Sequence, residues 1–68
     1  EAAGRWAQAL AKAARRGARR ALGSYRQGLR RIPKIRGEYA EISDGRLHAA
    51  VKVGAVRLID HRPLGGQR

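Results

Sequence analysis

AAGRWAQALAKAARRGARRALGSYRQGLRR, residues 2–31, is the stretch on which the fold turns. Ala, Leu, Arg and Gln dominate it, and all four are good helix formers. Spacing the residues about 100° apart sorts them into two faces. Arg5, Lys12, Arg15, Arg16, Arg19, Arg26 and Arg30 fall together, with Arg20 and Arg31 at the edge of their face. Trp6, Leu10, Ala14, Ala18, Ala21, Leu22, Tyr25, Leu29 and Ile32 fall opposite. This is the pattern of an amphipathic helix. Pro33 ends it, because proline lacks an N–H and disfavours helix for the residue before it. Gly4, Gly17, Gly23 and Gly28 interrupt, each costing about 1 kcal/mol relative to alanine in a helix. Gly17 and Gly28 lie on the apolar side, where small residues let another backbone come close. Gly23 and Ser24 offer a break, since Ser24 and Gln27 have capping-box spacing. The apolar stripe nevertheless keeps its phase across residue 23. One long basic helix, with at most a kink, is therefore expected over residues 1–32.

The rest of the chain changes character. Residues 33–37 read as a basic linker carrying Lys34 and Arg36. Residues 38–43 and 46–53 flank Asp44-Gly45, a strong two-residue hairpin signal. Pairing across that turn sets Ile42 against Leu47 and Ala40 against Ala49, with Val51 and Val53 continuing one apolar face. The other face pairs Glu41 with His48 and Ser43 with Arg46. Gly54 marks a bulge or turn, after which residues 55–60 extend the second strand or form a third. The β-hairpin region is thus 38–60, and residues 61–68 read as an irregular, flexible tail. The expected class is α+β, with a small core completed by partners, because a chain this short without staples is marginal on its own.

Charge divides along the same line. The 68 residues hold 16 Lys and Arg against 5 Asp and Glu, a formal net charge of +11. Residues 1–36 carry eleven of the basic groups and one acid, Glu1; residues 37–68 carry five basic groups and four acids. So basic a chain repels itself and gains most from a polyanionic partner. Arginine outnumbers lysine thirteen to three. Guanidinium groups grip phosphate in two-pronged fashion and stack on bases, which favours nucleic acid among the polyanions; of the two nucleic acids, RNA is the expected partner. A GC-rich coding sequence would produce the same excess of Arg, Ala and Gly, but it does not account for the net charge.

Several classes are disfavoured. There is no cysteine, hence no disulfide framework and no thiolate metal site. No run approaches the roughly 18 apolar residues of a membrane span, and no uninterrupted apolar stretch of signal-peptide type is present. The chain begins at Glu1 rather than Met, as a processed form or a segment would. The expected setting is the cytoplasm or an organelle matrix, although no targeting pattern fixes it.

The first candidate site is the basic face: Arg5, Lys12, Arg15, Arg16, Arg19, Arg26, Arg30 and Arg31, continued by Lys34 and Arg36. As a helix it would run about 40 Å, enough to follow a phosphate backbone. Solvated helix faces usually mix signs, yet no acid occurs between Glu1 and Glu38. Like charges at Arg15/Arg19, Arg16/Arg20 and Arg26/Arg30 destabilise the free helix, so the face calls for outside counter-charge. Among aromatics, Trp6 and Tyr25 fall on the apolar face and read as packing. Tyr39 fits either base stacking or packing against the helix. His48 and His61, with Asp44 and Asp60, are the raw material of a general acid–base ribonuclease, but His48 is more simply a cross-strand partner of Glu41. No metal-ligand spacing, cofactor motif or phosphate-binding glycine loop is present. A basic amphipathic helix also suits an anionic membrane surface, but its apolar face is mostly alanine and glycine, which insert weakly.

The reading is a non-catalytic RNA-binding structural component of a large ribonucleoprotein, of the kind small ribosomal proteins represent. Its helix and linker would lie on phosphates and its hairpin on a neighbouring protein. A structural or assembly protein of a virion or other multiprotein complex is the first alternative. A small basic ribonuclease toxin is the second.

Overall fold

The computed structural model describes residues 1–65. Two helices come first, α1 (Ala2–Arg15) and α2 (Ala18–Arg30), followed by three strands, β1 (Ile35–Ser43), β2 (Arg46–Val53) and β3 (Val56–Pro63). The class is α+β, but the single long helix is not what forms. The chain breaks at Gly17, whose φ of 89° and ψ of 168° lie in a region essentially reserved for glycine. Arg16 closes α1: its N–H donates to the Ala13 carbonyl, and the Gly17 N–H donates to that of Ala14. The Gly17 carbonyl then accepts from the N–H groups of Arg20 and Ala21 to open α2. With two residues between them, the helices fold back on each other. Trp6 near the start of α1 meets Tyr25 of α2, and a Cβ built on Gly28 would stand 3.3 Å from that of Ala9. The sequence signal at Gly28, a small residue admitting a neighbouring backbone, is realised here within one chain.

The strands form a meander, in order β1-β2-β3 with both pairs antiparallel. The expected register holds: Ile42 opposes Leu47, Ala40 opposes Ala49, Glu41 opposes His48 and Ser43 opposes Arg46. Asp44 and Gly45 both take positive φ, 55° and 70°, as the type I′ hairpin turn requires. The third strand is real, joined to β2 through Gly54-Ala55. β1 begins at Ile35 rather than Glu38 and so absorbs most of the linker, because Ile35 finds a partner in Val53. A bulge between Gly37 and Tyr39 leaves Glu38 unpaired in the ladder. β3 runs to Pro63, three residues into the stretch expected to be irregular. Beyond it Leu64 is buried and donates its N–H to Gly45, while Gly65 donates to Ala14. The end of the described chain is thus clasped to both the hairpin turn and α1. Residues 66–68 of the expected tail lie outside the described residues.

Both helices pack on the same face of the sheet. Trp6, Leu10, Ala13 and Ala14 of α1 and Ala21 and Tyr25 of α2 meet Leu47, Ala49 and Val51 of β2, with Ile32 and Leu64 at the margins. Within it the Trp6 Nε1–H donates to the Tyr25 hydroxyl at 2.9 Å, satisfying the indole donor where water is excluded. Burial pushes the Tyr25 hydroxyl's pKa above its usual 10.0, although the bond from Trp6 partly opposes this. This core is closed by the chain's own two layers, and nothing in the described residues supports completion by a partner. The far face of the sheet carries no layer. Ala50 is buried there, outside the main cluster, between its row neighbours Tyr39 and Ile59.

Candidate nucleic-acid interface

Folding back at Gly17 converts a long thin stripe into a short wide surface. Each helix of 14 or 13 residues spans about 20 Å, half the length a single helix would give. All ten residues expected at the interface (Arg5, Lys12, Arg15, Arg16, Arg19, Arg26, Arg30, Arg31, Lys34 and Arg36) are exposed. They do not share one face. Arg5 and Lys12 of α1, with Arg16 just beyond it, line a groove of about 470 Å³ against Arg20 of α2 and Arg31 just past its end. Gln8, Ser24 and Gln27 add neutral hydrogen-bonding groups, and Gly23 and Gly28 are among its lining residues. A Cβ on Gly23 would meet nothing within 4 Å, so glycine there keeps the groove open.

Five cations therefore converge where no acid enters. Among the described residues the ion pairs lie in the sheet: Arg57 Nε with Glu38 Oε1 at 2.7 Å, and Arg62 Nε with Asp60 Oδ2 at 3.5 Å. Neither draws on a basic group of residues 5–36. Glu38, the acid next along the chain, is held by Arg57 instead. Like-charged groups gathered around a concave surface raise the local potential above that of any one of them and attract anions.

The other expected residues are placed elsewhere. Arg15, Arg19, Arg26 and Arg30 do not line the groove. Lys34 and Arg36 gather with Lys52 around a second hollow, of about 400 Å³, at one end of the sheet. Lys34 turns the chain from α2 into β1 with a φ of 64°, uncommon for a residue other than glycine. Arg20 and Lys52 complete these two basic sites and were missed as binding residues in the sequence. Arg20 had been placed at the edge of the basic face, and the break at Gly17 turns it and Arg31 back onto one groove with Lys12 and Arg5. Lys52 becomes legible once the register sets it opposite Arg36. Gln8, Ser24 and Gln27 carry no charge signal, although Ser24 and Gln27 had stood out as a capping pair.

The aromatic and histidine candidates resolve differently. Trp6 and Tyr25 are core residues bonded to each other. Tyr39 does not pack on a helix: it lies on the open sheet face, 43% exposed, in the same cross-strand row as Ile59, 60% exposed. The β2–β3 register sets His48 against His61, with ring centroids 5.4 Å apart. His61 Nδ1 is 3.3 Å from Arg46 Nη1, and His48 Nε2 is 3.3 Å from the Ser43 carbonyl. The carboxylates do not join them. Asp60 Oδ1 accepts from the backbone N–H of His61 at 2.7 Å, and Asp44 is spent in the hairpin turn. Among the described residues no cluster of three or more His, Cys, Asp or Glu is placed to hold a metal ion. Among the described residues no helix is long and apolar enough to cross a membrane. Comparison with protein-family models finds no match, and comparison with curated proteins finds none either.

Proposed function

We propose that the chain is a non-catalytic RNA-binding structural component of a large ribonucleoprotein, holding RNA phosphates in the groove between α1 and α2. The observation that carries this is the convergence of Arg5, Lys12, Arg16, Arg20 and Arg31 on a surface without an acid. Four of the five are arginines, whose planar fork matches phosphate oxygens bidentately. The groove offers few base-reading groups beyond Gln8, Ser24 and Gln27. Phosphate contacts fix position and carry no sequence information, so selectivity would come from RNA shape.

Salt dependence tests it. Each phosphate neutralised contributes about −0.7 to −0.9 to the slope of log affinity against log salt. Five groove cations engaged together give a slope of about −3.5 to −4.5 on a structured RNA hairpin. The double change Arg16→Gln with Arg20→Gln lowers its magnitude by about 1.4 to 1.8. A slope near zero for the unaltered chain would remove the reading. A second reading, a small ribonuclease, rests on the apposition of His48 and His61 beside Arg46. Cleavage of the RNA that disappears on His48→Ala or His61→Ala would put it first.

A further inference from the structure

The face of the sheet turned away from the helices has a composition that a merely solvated face does not need. Tyr39 and Ile59 stand 43% and 60% exposed at either end of one cross-strand row, with buried Ala50 between them. Two strand spacings of about 4.8 Å separate the outer positions, and the small alanine between them is fully covered, leaving the two larger side chains as the exposed apolar surface. The adjacent row is Arg36, Lys52 and Arg57, with Arg57 ion-paired to Glu38; the row on the other side is Glu41, His48 and His61, with Arg46 beyond, so the face keeps a net positive charge. Lys34 continues the basic row beyond the sheet, in the hollow it shares with Arg36 and Lys52. An exposed aromatic ring beside a branched aliphatic, with cations running alongside, is a combination by which proteins hold an unpaired nucleic-acid strand. Bases stack on the ring while the backbone follows the charge.

We infer that this open sheet face binds an unpaired stretch of nucleic acid, a base stacking on Tyr39 and its phosphates lying along Lys34, Arg36 and Lys52. The inference rests on the reading of the chain as an RNA-binding component and adds a second, chemically different contact to it. The groove between the helices takes backbone alone, whereas this face takes base and backbone together. A second copy of the chain is the weaker occupant, because the face is itself net positive and each copy carries +11. The basic row likewise disfavours an ordinary mixed-charge protein surface. The two faces lie on opposite sides of the molecule, so one chain would tie a paired segment to an unpaired one.

The test uses the full chain and two fluorescent probes, a single-stranded oligouridine and a blunt RNA duplex. Tyr39→Ala is expected to weaken oligouridine binding roughly five- to a hundredfold, the range for loss of one base–aromatic stack. It leaves duplex binding within twofold. Tyr39→Phe, which keeps the ring, restores oligouridine affinity to within about threefold of the parent. Because Tyr39 is exposed, the fold survives, which circular dichroism checks. Oligouridine affinity unmoved by Tyr39→Ala overturns the inference, as does binding of an acidic peptide, in place of oligouridine, that Tyr39→Ala abolishes. Failures of the two proposals are separable. If Arg16→Gln with Arg20→Gln leaves duplex binding intact while Tyr39→Ala abolishes single-strand binding, the groove reading falls and the sheet reading stands. The reverse pattern does the opposite.

Discussion

Replacing Gly17 with alanine sets the folded-back helices against the straight helix that the sequence favours. At φ 89° and ψ 168° a residue with a side chain carries about 1–3 kcal/mol of backbone strain. The new Cβ adds little by contact, since its nearest neighbour is the Gly65 carbonyl oxygen at 3.5 Å. Alanine also favours the competing continuous helix by about 1 kcal/mol. The strain of about 1–3 kcal/mol compares with a total stability of about 3–10 kcal/mol for a domain of this length. Thermal unfolding should shift down by on the order of 5–25 °C. Gly23→Ala is the internal control. Its Cβ meets nothing within 4 Å and it lies inside α2, so it should gain about 0.5–1 kcal/mol. Urea unfolding followed by far-ultraviolet circular dichroism, and in parallel by Trp6 fluorescence, measures both. Opposite signs from two Gly→Ala changes six residues apart are the signature expected. A Gly17→Ala protein as stable as the parent would refute the assignment of the corner to that one backbone conformation.

Other outcomes follow from the buried pair beneath the helices. Tyr25→Phe removes the acceptor 2.9 Å from the Trp6 indole N–H and should cost about 1–3 kcal/mol in urea unfolding, the penalty of a buried donor left unsatisfied. Stability should also fall at high pH. The folded state holds the Tyr25 proton more tightly than the unfolded state, so its contribution is whole below the usual value of 10.0 and is lost as pH rises through the raised folded value. Unfolding free energies measured from about pH 8 to pH 11 check this, and Tyr25→Phe should remove the part of the alkaline decline that belongs to this residue.

The hairpin was legible because its information is local. Asp44-Gly45 selects a turn, the turn fixes the register, and the register alone assigns faces to Ile42, Leu47, Ala49 and Val51. The break at Gly17 was not legible from periodicity. Residues 14 and 21 are seven apart, about two helical turns, so the apolar stripe stays in phase whether the chain continues straight or doubles back onto the same sheet. Periodicity records which side of a helix is apolar, not the direction in which the helix runs. The candidate site inherited that ambiguity. Residue types and charge singled out Arg5, Lys12, Arg16 and Arg31, but the grouping that folds Arg31 and Arg20 back onto one groove with Arg5 and Lys12 depends on the corner. Tyr39 was undecided for a related reason: the turn sets it opposite Ala50, but the hairpin alone does not say which face of the sheet the helices cover.

The order of the strands in the sheet is their order in the chain, and only Arg16 and Gly17 separate the helices. Most neighbours in space are thus neighbours in sequence, which keeps the entropy of closing loops small and makes folding quick. The helical hairpin and the meander can each assemble from contiguous chain. The Gly65 amide on the Ala14 carbonyl joins segments fifty residues apart, so it belongs among the last contacts to form, latching two prefabricated halves together.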